Sequence, residues 1–309
     1  METTFCTNKE EGPSVSSQDR TGSRGKTKAK VLALVGASAL LLTGCSAEVK
    51  RGWLPNVERD TTNHTGAIQD FWVHSWIAVI VVGILTWGLM LWCIIAYRRR
   101  KTDKGYPRQL SYNLPLEIFY TAIPLVLVLV FFSFNNNLEK SINTPNENPA
   151  LTVDVRAKQW SWDFNYSYDG TEKYFAGTQA HLHTDGSEGA QEELPTLYLP
   201  AGESVTLDLN SRDVIHSFWV PAFLQKLDMI PGKTNHIYLT PQVEGTYDGK
   251  CAELCGEYHS EMLFNVKVVS PEEFKAQLAK LPDGHIGEDY DRQPDTVNGE
   301  VVPHEEEGE

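Results

Sequence analysis

Two uncharged apolar runs divide this chain into parts of different periodicity. Phe71 to Tyr97 carries no Asp, Glu, Lys or Arg over 27 residues, and Leu114 to Phe134 carries only Glu117 over 21. Each is long enough to cross about 30 Å of hydrocarbon as a helix. The first is too long and too uniformly apolar for a buried core helix. After Asn135 the pattern changes to period two. Trp160, Trp162 and Phe164 alternate, as do Val205, Leu207 and Leu209, and then Met262, Phe264, Val266 and Val268. Such alternation, broken by Gly, Pro and Asn, predicts strands of an antiparallel sandwich or barrel. The polar, Gly-rich stretch 170–195 predicts a loop. Ser270, Pro271 and the two Glu that follow predict a short capped helix reaching Leu281. From Pro282 onward the chain is acidic and poor in apolar residues, as a solvated tail would be.

The N-terminal part adds targeting signals. Residues 1–25 are rich in Ser, Thr, Gly and charge and predict disorder. Lys26, Lys28 and Lys30 precede a short apolar run, Val31 to Leu42, which predicts a secretory signal. The run ends in Leu42-Thr43-Gly44-Cys45, which resembles a bacterial lipobox. Cleavage before Cys45 and lipidation of its thiol would leave the mature chain outside the cytoplasmic membrane. An ordinary signal beside an unrelated Cys is the alternative. Arg98, Arg99, Arg100, Lys101, Lys104 and Arg108 place the loop between the two spans in the cytoplasm. The chain therefore crosses twice, and residues 135–309 lie on the outer face of a bacterial cell membrane. The expected divisions are a tail and signal (1–44), an outer linker (45–70), a helix hairpin (71–134), a β domain (135–282) and an acidic tail (283–309). Trp72, Trp76, Trp87 and Trp92 suit interface anchors or helix packing. Glu117, near the cytoplasmic end of the second span, either reaches the interface or belongs to a proton path.

Charge sharpens the picture. Residues 1–134 hold 15 basic and 10 acidic side chains, whereas residues 135–309 hold 12 and 31. An acidic outer domain repels nucleic acid and steers a basic protein partner.

The densest chemistry is "KCAELCGEYHSEM", Lys250 to Met262, which sets Cys251, Cys255, His259 and Met262 in a C-x3-C-x3-H-x2-M order. Soft thiolates with a thioether favour copper, zinc or iron–sulfur. Structural zinc has no use for Met, and iron–sulfur clusters usually take four thiolates. One Cys with His and Met would suggest a mononuclear blue copper, and two bridging thiolates suggest two coppers. His216, in "RDVIHSFWVP", is the best candidate for a second imidazole. His74, His181, His183, His236, His285 and His304 sit in a membrane helix, a polar loop, a strand or the tail. The alternative is a Cys251–Cys255 disulfide, which exported proteins do form but which leaves His216, His259 and Met262 without a task. Cys6 lies in the N-terminal tail, and Cys93 serves as a small hydrophobe. There is no C-x-x-C-H, so no covalent haem is expected.

From about residue 70 to 282 the chain resembles subunit II of cytochrome c oxidase, the haem–copper respiratory oxidase. The likeness is carried by the helix hairpin, "QWSWDF" (Gln159 to Phe164), "DVIHSFWVP", "DMIPGK" (Asp228 to Lys233) and "CAELCGEYHSEM", in family order. The resemblance implies an α+β membrane protein, a two-helix hairpin followed by a cupredoxin-like sandwich with the dinuclear copper centre CuA. It implies Cys251 and Cys255 as bridging ligands, one copper each on His216 and His259, Met262 as a weak ligand, and the Glu253 carbonyl as another. The Glu253 side chain would contribute to a magnesium site shared with subunit I. Trp160 matches the electron-entry aromatic, Glu117 a proton-channel acid, and Asp213 a docking face for cytochrome c. The implied function is electron transfer from cytochrome c, soluble or held in a neighbouring bc1-type complex, through CuA to haem in subunit I of an aa3-type oxidase. Subunit III and membrane lipid are further expected partners, and haem belongs to partner subunits alone. A quinol oxidase subunit typically lacks the copper ligands present here. A copper-dependent nitric oxide reductase, a membrane-anchored copper carrier and a structural lipoprotein with a disulfide are the other readings.

Overall fold

The computed structural model describes residues 46–54, 58–100, 102, 105–106, 110–185, 189–191 and 193–286. Cys6, the signal, the lipobox with Cys45, and the tail from residue 287 lie outside them. The chain divides after Lys50 into two compact units. Of the first, the described part is a short helix α1, Ala47–Lys50.

The second unit begins with two long helices, α2 (Thr65–Ala96) and α3 (Leu114–Ile142), both long and apolar enough to cross a membrane. They extend past the expected limits of 71 and 134 because polar residues at the outer ends, Asn135 to Asn137 among them, still satisfy their backbone helically. Asn113 caps α3: its side chain accepts from Leu116 N–H. Glu117 turns back to the Asn113 N–H at 3.3 Å, a reciprocal bond of the capping-box kind. Phe71 and Phe131 meet edge to face between the helices. The expected linker is ordered near its end. Gln242 N–H bonds Thr61 O and Asn63 N–H bonds Thr240 O, which ties the start of α2 to the β domain.

Among the described residues the β domain holds ten strands. The first five are β1 (Leu151–Lys158), β2 (Ser161–Tyr168), β3 (Thr171–Phe175), β4 (Thr196–Pro200) and β5 (Val205–Ser211). The rest are β6 (His216–Val220), β7 (Gln225–Met229), β8 (Asn235–Leu239), β9 (Gly245–Cys251) and β10 (Leu263–Val269). They form two five-stranded sheets, ordered β3-β2-β1-β5-β8 and β4-β10-β9-β6-β7. The sandwich is present, but it is not purely antiparallel. β1 pairs parallel to β5, and β4 parallel to β10. Long crossovers between the sheets permit this, whereas a hairpin imposes antiparallel pairing.

The alternating residues build the core. Val205, Leu207, Leu209, Phe264, Val266 and Val268 are all at most 1% exposed. β2 departs from alternation and is buried on both faces. Its inner face packs Trp162 and Phe164 against Phe264 and Phe218. Its outer face is covered partly by the segment leading to Ile286: Asn165 exchanges two hydrogen bonds with the Ile286 backbone. Residues 283–286 therefore belong to the fold and not to a solvated tail. β3 and the packed segment after it likewise replace the first part of the expected loop 170–195. The short helix α4, Pro271–Leu278, starts at Ser270, whose hydroxyl accepts from Glu273 N–H; such a cap contributes about 1 kcal/mol.

Candidate metal centre

Sheet order positions the ligand segments. β9 lies between β10 and β6. The residues from Cys251 to Met262 connect β9 to its antiparallel neighbour, and Cys251 N–H closes on Met262 O at 3.0 Å. β6 brings His216 alongside, because Phe218 pairs with Cys251 and Ala252 N–H bonds Ser217 O. A one-turn 3₁₀ helix, His259–Glu261, folds His259 back toward Cys255.

The convergence is tight. His216, Cys251 and Cys255 are buried, and their ligand atoms lie within 4.8 Å of one another. The two Sγ atoms are 3.9 Å apart, nearly twice a disulfide bond length of about 2.05 Å, so both thiols are free. Cys251 Sγ faces His216 Nδ1 at 3.8 Å and Glu253 O at 3.2 Å. Cys255 Sγ faces His259 Nδ1 at 3.5 Å and Met262 Sδ at 3.8 Å. The expected ligand residues are thus brought together, with the Glu253 carbonyl turned inward. Leu254 between them is 77% exposed.

The surroundings hold this arrangement. Asp213 Oδ1 accepts from His216 Nε2 at 2.8 Å, which leaves Nδ1 toward Cys251. Asp213 also accepts from Gln159 N–H and Val214 N–H. Its carboxylate, expected on a docking face, is engaged inward. Gln159 Nε2 and Trp160 Nε1 both donate to Cys255 O, at 2.7 and 3.3 Å. Trp160 stacks edge-on against Tyr258, which meets His181, and His181 pairs with Glu261 at 2.9 Å. Glu117 lies at the opposite end of the hairpin, at the start of α3. Gln159, Tyr258 and His181 carry no role expected from the sequence, although Gln159 and Tyr258 lie inside the motifs QWSWDF and CAELCGEYHSEM. Gly256 sits at φ +124°, and a Cβ there would meet Gln159 and Trp160 at 3.0–3.1 Å. Gly256→Ala should therefore push Trp160 off Cys255 and strain the loop. Copper retention should fall about tenfold against a chelator, and unchanged retention would refute the contact.

Electrostatics follow from the same contacts. Hydrogen bonding to Cys255, with help from His216 and the backbone, pulls the Cys251 thiol well below its ordinary value, although burial opposes it. Cys251 and burial push the Cys255 thiol up. Burial works against the His216 imidazolium, but Asp213 and Cys251 outweigh it and raise its value. A depressed thiol gives stability that is present above its unfolded value of about 8.5 and fades as pH falls. The raised imidazole acts oppositely, losing its contribution as pH rises past its folded value. The raised Cys255 matters only above the unfolded thiol value. Between pH 5 and pH 8 the lowered Cys251 thiol acts over the whole interval, the raised imidazole opposes it only above its own unfolded value, and the raised Cys255 thiol is silent, so the metal-free chain should gain stability across that interval. Urea midpoints at both values test this, and Cys251→Ser should flatten or reverse the slope.

The donor set, two thiols, two imidazoles, a thioether and a carbonyl, fits copper better than zinc, which has no use for the thioether. Residues 151–269 match a family described as cytochrome c oxidase subunit II, periplasmic domain. A probable cytochrome c oxidase subunit 2 of Streptomyces coelicolor is 42% identical over 285 residues, covering 84% of this chain and 88% of the relative. The chain belongs to the cytochrome c oxidase subunit II family. The cytochrome c oxidase subunit 2 of Mycobacterium tuberculosis is 32% identical over 338 residues, covering 91% and 92%. The crystal structure of the subunit II periplasmic domain from Bradyrhizobium japonicum is 29% identical, with a TM-score of 0.37, over 43% of this chain and 94% of that one. The fold class is the expected one, two apolar helices followed by a cupredoxin-like sandwich. Membership makes the chain a membrane-anchored oxidase subunit with its β domain on the outer face and a His–Cys–Cys cluster able to bind copper.

Proposed function

We propose that the chain is the electron-entry subunit of an aa3-type, proton-pumping cytochrome c oxidase. The observation that carries the reading is the pairing of each thiol with its own imidazole. His259 falls outside the mutual cluster of His216, Cys251 and Cys255, so one metal ion would leave it unused, and two ions would use both. Cys251 and Cys255 would bridge the pair, His216 and His259 would each hold one copper, and Met262 and the Glu253 carbonyl would complete the set. The centre, when bound, accepts and releases single electrons with its charge shared between two metals.

The protein residues supply the rest. Burial of His216, Cys251, Cys255 and Met262, each at most 4% exposed, excludes water and keeps the ligand positions fixed through a redox cycle. Asp213 holds His216 in the tautomer whose Nδ1 is free to bind. Gln159 and Trp160 tether Cys255, and the half-buried Trp160 is the proposed entry point from cytochrome c. The Glu253 side chain would help to bind magnesium at the boundary with subunit I, and Glu117 would open a proton path there. Asp213 remains a docking candidate only through the part of its side chain, 29%, that solvent reaches. Lipidated Cys45 and two membrane crossings, with residues 97–113 cytoplasmic, would fix the outer domain at the bilayer. Subunits I and III, cytochrome c and lipid are the corresponding partners. The electron-transfer reading is favoured over a copper carrier because the ligands come from two separate segments and the side chains of His216, Cys251, Cys255 and Met262 are buried.

Copper per chain and the electron spin resonance spectrum of the full-length chain in detergent test this. Two coppers sharing one unpaired electron are expected. A single blue copper, or none with Cys251 and Cys255 reduced, would overturn it.

A further inference from the structure

Asp163 sits in the aromatic strand β2 with no solvent exposure. A carboxylate there is costly without partners, and it has three. Oδ1 accepts from Gly177 N–H at 2.9 Å and faces Lys158 Nζ at 3.2 Å. Oδ2 accepts from Arg212 Nη1 at 2.7 Å. The Arg212 side chain is itself 3% exposed. Three segments distant in sequence thus meet on one carboxylate: the end of β1, the segment after β3, and the connection from β5 to β6. Gly177 passes so close to β2 that a Cβ would lie 2.2 Å from Trp162 O.

The third segment leads to His216. Arg212 N–H donates to Ala157 O at 2.9 Å. The next residue, Asp213, accepts from Gln159 N–H at 2.7 Å and from His216 Nε2 at 2.8 Å. Asp213, Val214 and Ile215 are exposed, so this connection has little packing of its own. Besides local bonds around the Ser211 hydroxyl, its ties to the sandwich include the Arg212 N–H on Ala157 O, the buried guanidinium on Asp163 and the carboxylate on Gln159, all near the β1–β2 corner.

We propose that Asp163 is a positioning residue for the metal centre. By holding Arg212 it sets Asp213 against Nε2 of His216, which keeps the ring proton on Nε2 and Nδ1 directed at Cys251. Asp163 touches no ligand, so its effect passes through Arg212 and Asp213. The inference rests on the copper reading above. The competing role is a buried ion pair that stabilises the sandwich and leaves the ligands indifferent to it.

The test uses the full-length chain in detergent with Asp163→Asn, Asp163→Glu and Arg212→Lys. Phe274→Leu serves as a control, because Phe274 packs on Tyr166 and Tyr168 at the other end of β2. In the copper-loaded chain, Asp163→Asn should release copper to a chelator about tenfold faster and alter the spin resonance spectrum, in line with loss of an outer partner. Asp163→Glu should restore the spectrum. Phe274→Leu should lower the unfolding midpoint and leave copper release unchanged. In the metal-free chain, nitrogen shifts of His216 should show the proton on Nε2 in the wild type and a tautomer mixture in Asp163→Asn. Wild-type copper release, spectrum and tautomer in Asp163→Asn, with only the unfolding midpoint lowered, would overturn the proposal. Should Asp163→Asn fail to fold, Arg212→Lys takes its place with the same expected and overturning results. A wild-type chain that binds no copper but keeps its Nε2 tautomer would remove the copper reading and leave the positioning of His216 intact.

Discussion

Cys255→Ser is expected to abolish electron entry. The Cys255 thiol faces Cys251, His259 and Met262 together, at 3.9, 3.5 and 3.8 Å, and a hydroxyl replaces a soft, ionisable ligand with a hard, weakly acidic one. Loss of an outer partner alone costs about 10–100-fold in metal affinity or activity, so loss of a bridging ligand should exceed about 100-fold. Copper should fall from two per chain to one or none. Turnover of the assembled oxidase with reduced cytochrome c should fall with it, while the unfolding midpoint of the metal-free chain changes little. Retention of two coppers and half or more of the turnover would show that Cys255 is not a bridge. His259→Ala should act in the same direction with a smaller effect, because Met262 and both thiols remain.

Phe264→Ala is expected to cause the largest loss of stability. Phe264 has no exposed surface, and its ring lies 4.7 Å from Trp162 and 4.9 Å from Phe218. It also fills the hollow above Gly249, where a Cβ would come within 2.3 Å of the ring. Deleting a buried Phe typically costs about 3–5 kcal/mol, against a total of about 5–15 kcal/mol for a domain. The loss should reach the metal centre too. Phe264 is two residues after Met262, and Phe218 pairs with Cys251. Urea unfolding of the full-length chain should show the drop, and copper should leave more readily. Val269→Ala, at a half-buried position on the same strand, should cost far less. A loss below about 1 kcal/mol at Phe264 would mean that the core closes over the cavity.

Much of this architecture was legible in local pattern. The two helices, the strands built on Val205 to Leu209 and on Phe264 to Val268, and the Ser270 cap follow from periodicities and capping preferences that act over a few residues. Local pattern falls short in two ways. Apolarity alone ends the helices too early, because backbone hydrogen bonding carries α3 through Asn135 to Ile142. β2 was expected to show one buried face, but its other face is covered by residues distant in sequence, such as Ile286. The segment after residue 170 looked like a loop because its polar composition hides contacts made far away, including His181 with Glu261.

The sequence by itself determined which atoms were available for chemistry. C-x3-C-x3-H-x2-M sets four soft or borderline donors within one short connection, and softness is a property of residue type. It also determined that two segments can span a bilayer, since hydrocarbon thickness fixes the length required. Only the tertiary structure decided which imidazole faces which thiol, because His216 reaches Cys251 through strand pairing across 35 residues. It alone turned Asp213 toward His216, tethered Cys255 to Gln159 from 96 residues away, and closed Asp163 on Arg212 across 49. Periodicity records which face of a strand is buried. It does not record which strand lies beside it, and at this centre the neighbouring strand β6 supplies the ligand His216, and the connection that leads into it supplies the carboxylate of Asp213.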